Sequence, residues 1–280
     1  MKRCDLHTHT VYSDGTLTPT ELVLAAVREK LSAVALTDHN SVGGLDEFMS
    51  QAERCGIIGV AGVEFSTEYN GVELHIHGLF VEREHFDAIR EFVDRFKVRK
   101  RESNIKLVKR LGEAGYKVDL DEIERNTPDG YVNRAHIAAA LVRSGYVGSV
   151  REAFDKLVGE KAGYYEPPIR SGAFETIEFI KSIGALAVLA HPLLQLGEQE
   201  LYDFLAVAVE HGLDGIETEY SLYTERQIDC SERLAEHFGL CRSGGSDFHG
   251  ENKPDQKLGS GKNNICVPFE YYEKLLAKKL

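Results

Sequence analysis

The chain has 280 residues and a formal net charge of −12, and 42% of its residues are hydrophobic. These values are typical of a globular protein with one large core, or of one barrel-sized domain with an insertion, and they exclude a disordered chain. The negative charge argues against a broad nucleic-acid-binding surface, which needs a positive footprint. No apolar run reaches the roughly 18 residues of a membrane span.

The cysteines and the N-terminus indicate the compartment. The five cysteines are odd in number, scattered and without a Cys-x-x-Cys pair, so we expect reduced thiols. Met1-Lys-Arg leads directly into a histidine motif, which leaves no room for a signal peptide. We therefore expect a cytoplasmic protein that does not act at a membrane. The sequence does not indicate the oligomeric state.

The N-terminal part alternates strand and helix patterns. Thr18 followed by Pro19 and Glu21 is typical of a capped helix start, and this helix is expected to reach about Lys30. A second helix is predicted at 45–54. Strands are predicted at 3–9, 33–36, 57–63 and 72–80, with a turn at Asn70-Gly71 before the last of them.

The middle of the chain is predicted to be helical. Helical patterns cover 85–111, 120–125, 134–143 and 150–157, with no strand pattern between them. We interpret residues 101–165 as a helical insertion that caps the substrate, within a barrel domain formed by 1–100 and 166–280.

Strands and helices alternate again after the insertion. Helices are predicted at 176–182, 199–211 and 225–238 and at the C-terminus, and strands at 185–189, 215–219, 240–242 and 264–267. Repeated strand–helix units predict a parallel sheet that is closed or nearly closed.

Histidines and carboxylates follow the apolar runs of the predicted strands. They include His7, His9, His39, Glu64, His191 and Asp247. Because the carboxyl ends of parallel barrel strands converge on one face, these side chains should meet there. Imidazole and carboxylate are metal ligands, so a polynuclear metal site is predicted, against the alternative of hydrogen-bonded core histidines.

Three further residues, Asp14, His75 and His249, extend this set. Asp14 is either a ligand or the cap of a turn at Gly15. His75 and His77 share a strand face, and we expect only His75 to be a ligand while His77 lines the site. His249, two positions after Asp247, is also a candidate ligand.

The motifs resemble those of a known family. They are Asp5-Leu-His-Thr-His, Ser13-Asp-Gly, Ala35-Leu-Thr-Asp-His-Asn, Gly62-Val-Glu, His75-x-x-Gly, Ala190-His-Pro and Gly245-Ser-Asp-Phe-His-Gly. Their order over nearly the whole chain resembles the PHP (polymerase and histidinol phosphatase) family, and the insertion resembles its TrpH-like branch of 3′,5′-nucleoside bisphosphate phosphatases. The resemblance implies an α/β fold, a distorted (β/α)7 barrel with a small helical insertion.

The resemblance also implies a ligand set for two or three divalent metal ions. One metal would be bound by His7, His9, Glu64 and Asp247. Glu64 would bridge to a second metal with His75 and His191, and a third would lie among Asp14, His39 and His249. Manganese, iron and zinc all suit such a site, and the sequence does not choose among them.

The insertion contains a second motif, Asn133-Arg-Ala-His136. It resembles the Arg-x-His element that holds a substrate phosphate in this branch, so Arg134 and His136 are predicted to bind substrate; an ordinary salt bridge at a helix start is the alternative. Residues 95–110 hold eight basic residues and one glutamate, which either attract anions or form a solvated helix face. Tyr223 stands where this branch often has a histidine, which puts one phosphate contact in question.

The predicted activity is hydrolysis of a phosphate ester by a metal-bridging hydroxide. The resemblance implies removal of the 3′-phosphate from nucleoside 3′,5′-bisphosphates, and a related activity is trimming of short oligonucleotides from the 5′ end. The alternatives are another phosphatase, such as one for histidinol phosphate, and a non-catalytic PHP module. No side chain is assigned as catalytic, and the general acid is not assigned.

Overall fold

The computed structural model describes residues 2–128 and 131–280. Its eight strands form one sheet in the order β1-β2-β3-β4-β6-β7-β8, and β5 pairs with β3. The strands are β1 Cys4–Asp5, β2 Ala33–Leu36, β3 Ile58–Tyr69, β4 Val72–Leu79, β5 Ser171–Gly172, β6 Leu186–Ala190, β7 Gly215–Tyr220 and β8 Cys241–Gly245. The Leu6 N–H donates to the Gly244 carbonyl at 3.0 Å, so the sheet curves into a nearly closed barrel.

Ten α-helices accompany the sheet in the part of the chain that the structure describes. They are α1 Pro19–Arg28, α2 Leu45–Cys55, α3 Phe86–Glu113, α4 Leu120–Asn126, α5 Arg134–Arg143, α6 Val150–Ala153, α7 Ala173–Ser182, α8 Glu198–Ala208, α9 Glu225–Phe238 and α10 Phe269–Lys279. The start of α1 is the predicted capping box, in which Thr18 accepts from the Glu21 N–H. A π-helical turn, Phe154–Val158, follows α6.

The prediction of a parallel sheet is wrong at one place. Strand β4 runs antiparallel to both β3 and β6, since the Asn70-Gly71 turn makes β3 and β4 a hairpin. Strand β3 also continues past Glu64 to Tyr69, so Glu64 lies within a strand and not at its end. His75 is near the start of β4, and the reversed direction of β4 brings it to the same rim as the ends of the parallel strands.

The predicted strand at 264–267 is also absent from the structure, which describes all four residues. The Val267 carbonyl accepts from the Cys4 N–H at 3.1 Å, and Pro268 forms a single bridge with Arg3. One proline-limited bridge does not extend into a ladder, because proline has no N–H to donate.

Helix α3 belongs to two hydrophobic cores. Its first half packs Ile89 and Phe92 into the barrel core, and its second half places Leu107 and Leu111 in a separate core. That second core comes from residues of the predicted insertion, among them Ile123, Ile137, Leu141 and Leu157. The predicted boundary at 100/101 therefore falls inside a continuous helix, and the domain limits stay a prediction. Among the described residues, no helix is both long and apolar enough to cross a membrane.

Candidate metal centre

Four donor atoms meet where β1 leaves the barrel. The Nε2 atoms of His7 and His9 are 3.1 Å apart. Glu64 Oε2 lies 3.4 Å from His7 Nε2 and 3.2 Å from His9 Nε2, and Asp247 Oδ1 lies 3.4 and 3.3 Å from the same two atoms. Ligands at about 2.1 Å from a tetrahedral ion are about 3.4 Å from one another. These separations fit a divalent cation among the four atoms.

The second oxygen of Glu64 faces a different group of donors. Glu64 Oε1 lies 3.0 Å from His75 Nδ1 and 3.1 Å from His191 Nε2. His39 Nδ1 contacts the other oxygen, Oε2, at 3.1 Å. One carboxylate therefore serves two neighbouring groups of nitrogen donors, as a bridging ligand between two cations would.

A third group surrounds Asp14. Its Oδ1 atom lies 3.1 Å from His249 Nε2 and 3.9 Å from His39 Nε2. His39 thus has one ring nitrogen toward Glu64 and the other toward Asp14. Asp14 faces imidazoles rather than acting as the cap of a turn.

The nine predicted ligands consequently form one connected cluster. Five of their buried atoms make no hydrogen bond of normal geometry with any described residue, although some of them lie 3.1 Å from one another. The atoms are Asp14 Oδ1, His39 Nδ1, Glu64 Oε2, His191 Nδ1 and His249 Nε2. Buried polar atoms are normally hydrogen-bonded. A concentration of unpartnered nitrogen and oxygen donors that face one another fits divalent cations in this cluster.

His77 lies deeper than His75 on the same face of β4. It is 1% exposed, its Nε2 atom is 3.7 Å from Glu64 Oε1, and its ring meets that of His7 edge-on at 4.3 Å. Burial, followed by the neighbouring charge of His7, lowers the pKa of His77 to about 4. A neutral imidazole in this position lines the cluster, although its own nitrogens are also unpartnered.

Charge in the cluster is shared between carboxylates and imidazoles. Burial disfavours the charged form of His9, yet the carboxylates of Asp247 and Glu64 raise its pKa to about 9. Burial also opposes ionisation of Glu64, yet the imidazoles of His39 and His7 hold its pKa well below the usual range. The cluster thus favours anionic carboxylates that need a positive partner, which protons or metal cations can supply.

Sequence reasoning missed Glu217, which orients His7. Glu217 lies on β7, is 1% exposed, and its Oε1 atom is 3.2 Å from His7 Nδ1. Its Oε2 atom accepts from the His191 N–H at 2.9 Å. A carboxylate on the outer nitrogen of an imidazole turns the inner nitrogen toward the metal. The only signal was a glutamate in a buried strand, which does not by itself identify a partner.

Asp247 is oriented in a similar way. Its Oδ2 atom accepts hydrogen bonds from Tyr220 at 2.8 Å, Lys253 at 2.8 Å and Gln256 at 3.1 Å. The Oδ1 atom is left toward His7 and His9. These three donors fix which oxygen of Asp247 faces the cluster.

Two residues of the cluster have strained backbones. His191 has φ 31° and Asp247 has φ 53°, in the left-handed region that favours glycine. Such conformations cost about 1–3 kcal/mol each and collect at functional sites. At these two positions the strain turns the chain at a strand end so that a side chain faces the rim.

The junction of the insertion and the barrel places two arginines beside the cluster. Arg134, at the start of α5, donates to Glu73 Oε2 at 3.0 Å, and Arg170 donates to the same atom at 2.6 Å. His136 Nδ1 accepts from the Asn133 N–H at 3.0 Å and so caps α5. Arg134 thus contacts β4 through Glu73, whereas His136 lies close to Asp14 and the backbone of Ser13. Sequence reasoning missed Glu73 and Arg170.

Tyr223 lies behind the site and not in its mouth. It is 2% exposed, and its hydroxyl accepts from the Leu193 N–H at 3.0 Å. This position suits a structural support for the turn after His191 and not the phosphate contact considered from the sequence.

The chain is similar to a known domain family and to proteins that act on phosphate esters. The family model described as PHP domain matches residues 5–245. A 5′-3′ exoribonuclease of Haemophilus influenzae is 33% identical over 89% of this chain and 90% of its own length. A 3′,5′-nucleoside bisphosphate phosphatase of Chromobacterium violaceum is 32% identical over 96% of this chain and 95% of its own length.

A solved structure shares the whole fold. It is that of a putative metal-dependent phosphoesterase from Bifidobacterium adolescentis, with a TM-score of 0.88 and 27% identity, covering 100% of this chain and 97% of its own. The resemblance inferred from the motifs and the expected barrel class are thereby confirmed.

Proposed function

Since this chain belongs to the PHP domain family, we propose that it is a metal-dependent phosphoesterase that removes the 3′-phosphate from nucleoside 3′,5′-bisphosphates. The observation that carries this proposal is the division of the Glu64 carboxylate between two groups of nitrogen donors, near Arg134 of the insertion. The relative named 3′,5′-nucleoside bisphosphate phosphatase aligns with almost the whole chain, which supports the same substrate class.

The nine clustered residues would hold the cations. One ion would lie among His7, His9, Glu64 and Asp247, a second beside Glu64 Oε1 with His75 and His191, and a third among Asp14, His39 and His249. Bound divalent cations would supply Lewis-acid stabilisation of the charge that develops on the phosphoryl oxygens. Manganese, iron and zinc remain equally suitable to this mixed donor set.

The chain itself would orient the substrate. Arg134 at the start of α5 would bind the phosphate that is not hydrolysed, since a guanidinium presents a planar fork to phosphate oxygens. His136 would line the same end of the substrate from the first turn of α5. Glu217 and the donors on Asp247 Oδ2 would keep the ligand atoms fixed while the ester reacts.

A second candidate substrate is the 5′ end of a short oligonucleotide. The relative named 5′-3′ exoribonuclease, at 33% identity over most of both chains, favours it. The same cluster would act on a phosphodiester, and Arg134 would then bind the terminal 5′-phosphate. The net charge of −12 suits a short substrate better than a long nucleic acid.

Phosphate release from purified protein tests the proposal. The protein is loaded with Mn²⁺ and given adenosine 3′,5′-bisphosphate, histidinol phosphate or a 5′-phosphorylated trinucleotide. We expect adenosine 5′-monophosphate and phosphate from the bisphosphate, at the highest kcat/KM of the panel. Turnover of histidinol phosphate alone would overturn the substrate assignment, and metal binding without any turnover would favour a non-catalytic module.

A further inference from the structure

Three cations of the described structure gather around one carboxylate at the junction of barrel and insertion. Glu73 accepts from Arg134 and Arg170 through the same oxygen atom, Oε2. The side chain of Arg170 is 7% exposed and that of Arg134 is 16% exposed. Lys100, on α3, is half-buried beside them and makes no hydrogen bond or ion pair with any described residue.

This charge balance is unfavourable without a further anion. One carboxylate faces three cations, and buried charges without a partner are costly. Burial lowers the pKa of Lys100 to about 8. The carboxylate of Glu73 raises this pKa, and the charges of Arg134 and Arg170 lower it. An anion at this place would stabilise the ammonium and balance the excess positive charge.

The two arginines still have donors to offer. Arg134 uses only Nη2 on Glu73, and Arg170 uses only Nη2, on Glu73 and on the Tyr165 hydroxyl, among the contacts of residues 2–128 and 131–280. Arg134 also stacks over the Tyr165 ring at 4.2 Å, which holds its guanidinium plane in place. Glu73 and Tyr165 thus fix both guanidinium groups while leaving nitrogen atoms for a ligand.

A cleft contains two of these three cations and two neighbours of the proposed metal ligands. Lys100 and Arg170 line it together with Asn40 and Ser66. Asn40 directly follows His39, and Ser66 is the cross-strand partner of His75. A ligand bound to the cations would therefore extend along the cleft toward two proposed metal ligands.

We propose that Lys100 and Arg170 join Arg134 in a binding site for the phosphate group of the substrate that is not hydrolysed, and that Glu73 and Tyr165 position the guanidinium groups. This inference rests on the proposed function and adds two residues to it. The ligand class is a phosphate monoester dianion, whose charge matches the excess of two cations over the single carboxylate.

The test compares two substrates in Lys100→Met and Arg170→Gln. One is adenosine 3′,5′-bisphosphate, and the other is adenosine 3′-monophosphate, which lacks the second phosphate. We expect the ratio of their kcat/KM values to fall about 10- to 100-fold in each variant, mostly through KM for the bisphosphate. Lys100→Arg should retain most of the ratio, and Lys109→Met, an exposed lysine on the same helix, should leave it unchanged.

A binding measurement separates this inference from the proposed function. Calorimetry with adenosine 5′-monophosphate needs no turnover, and its affinity should weaken about 10- to 100-fold in Lys100→Met but not in Lys109→Met. Equal losses of kcat/KM with both substrates in the variants, or unchanged affinity of Lys100→Met for adenosine 5′-monophosphate, would overturn the inference. A different result is that the wild-type protein binds adenosine 5′-monophosphate more tightly than Lys100→Met does and yet releases no phosphate from the bisphosphate. That result would refute the proposed function alone.

Discussion

The barrel rim and the barrel–insertion junction have opposite imbalances of charge. At the rim, carboxylates and imidazole nitrogens face one another around Glu64, an arrangement that fits bound cations. At the junction, Lys100, Arg134 and Arg170 surround Glu73, an arrangement that needs an anion. The difference supports the proposal that the rim binds cations and the junction binds an anion, as a metal-bound phosphate ester with a second phosphate would require.

The largest effect is expected from breaking the rim at Glu64. Glu64→Gln removes the negative charge and one of the two oxygens that serve the two groups of donors, so the protein should lose metal, and kcat/KM should fall by about three to four orders of magnitude. Metal content by elemental analysis and phosphate release measure the two effects. Full metal occupancy with normal activity in this variant would contradict the assignment of the rim.

A smaller loss, of metal affinity, is expected from changing Glu217, which contacts a proposed ligand but is not itself one. Glu217→Gln weakens the contact that orients His7, so metal affinity should fall about 10- to 100-fold while occupancy recovers at high metal concentration. Titration of the metal-free protein with metal ions measures this affinity. The matched control is Glu219→Gln on the same strand, because the charged groups around Glu219 are Glu232 and Arg242. If both variants weaken metal binding equally, Glu217 has no specific role.

The smallest effect tests whether Tyr223 belongs to either region. Tyr223→Phe removes the hydroxyl that accepts from the Leu193 N–H and should lower the free energy of unfolding by about 1–3 kcal/mol. The KM for adenosine 3′,5′-bisphosphate should not change, since Tyr223 is 2% exposed. Thermal denaturation and steady-state kinetics decide between the two roles, and a higher KM with unchanged stability would restore the phosphate contact.

The rim was largely predictable from the sequence, and the junction was not. His7, His9, His39, His191 and Asp247 each follow an apolar run, and barrel geometry brings such positions together. The turn at Asn70-Gly71 was predicted correctly, but the direction of β4 was missed because the repeated strand–helix units favoured a parallel sheet. Glu73, Lys100 and Arg170 carry no spacing signal, because only the return of the chain after the insertion makes them neighbours.

Helix α3 has a consequence for how this chain tolerates changes of length. It is one uninterrupted helix of 28 residues, with Phe92 in the barrel core and Leu107 in the second core. One inserted residue between them would rotate the far end by about 100° and advance it by about 1.5 Å. Leu107 would then leave its core, so insertions and deletions are confined to loops such as 144–149, and α3 acts as a spacer of fixed register.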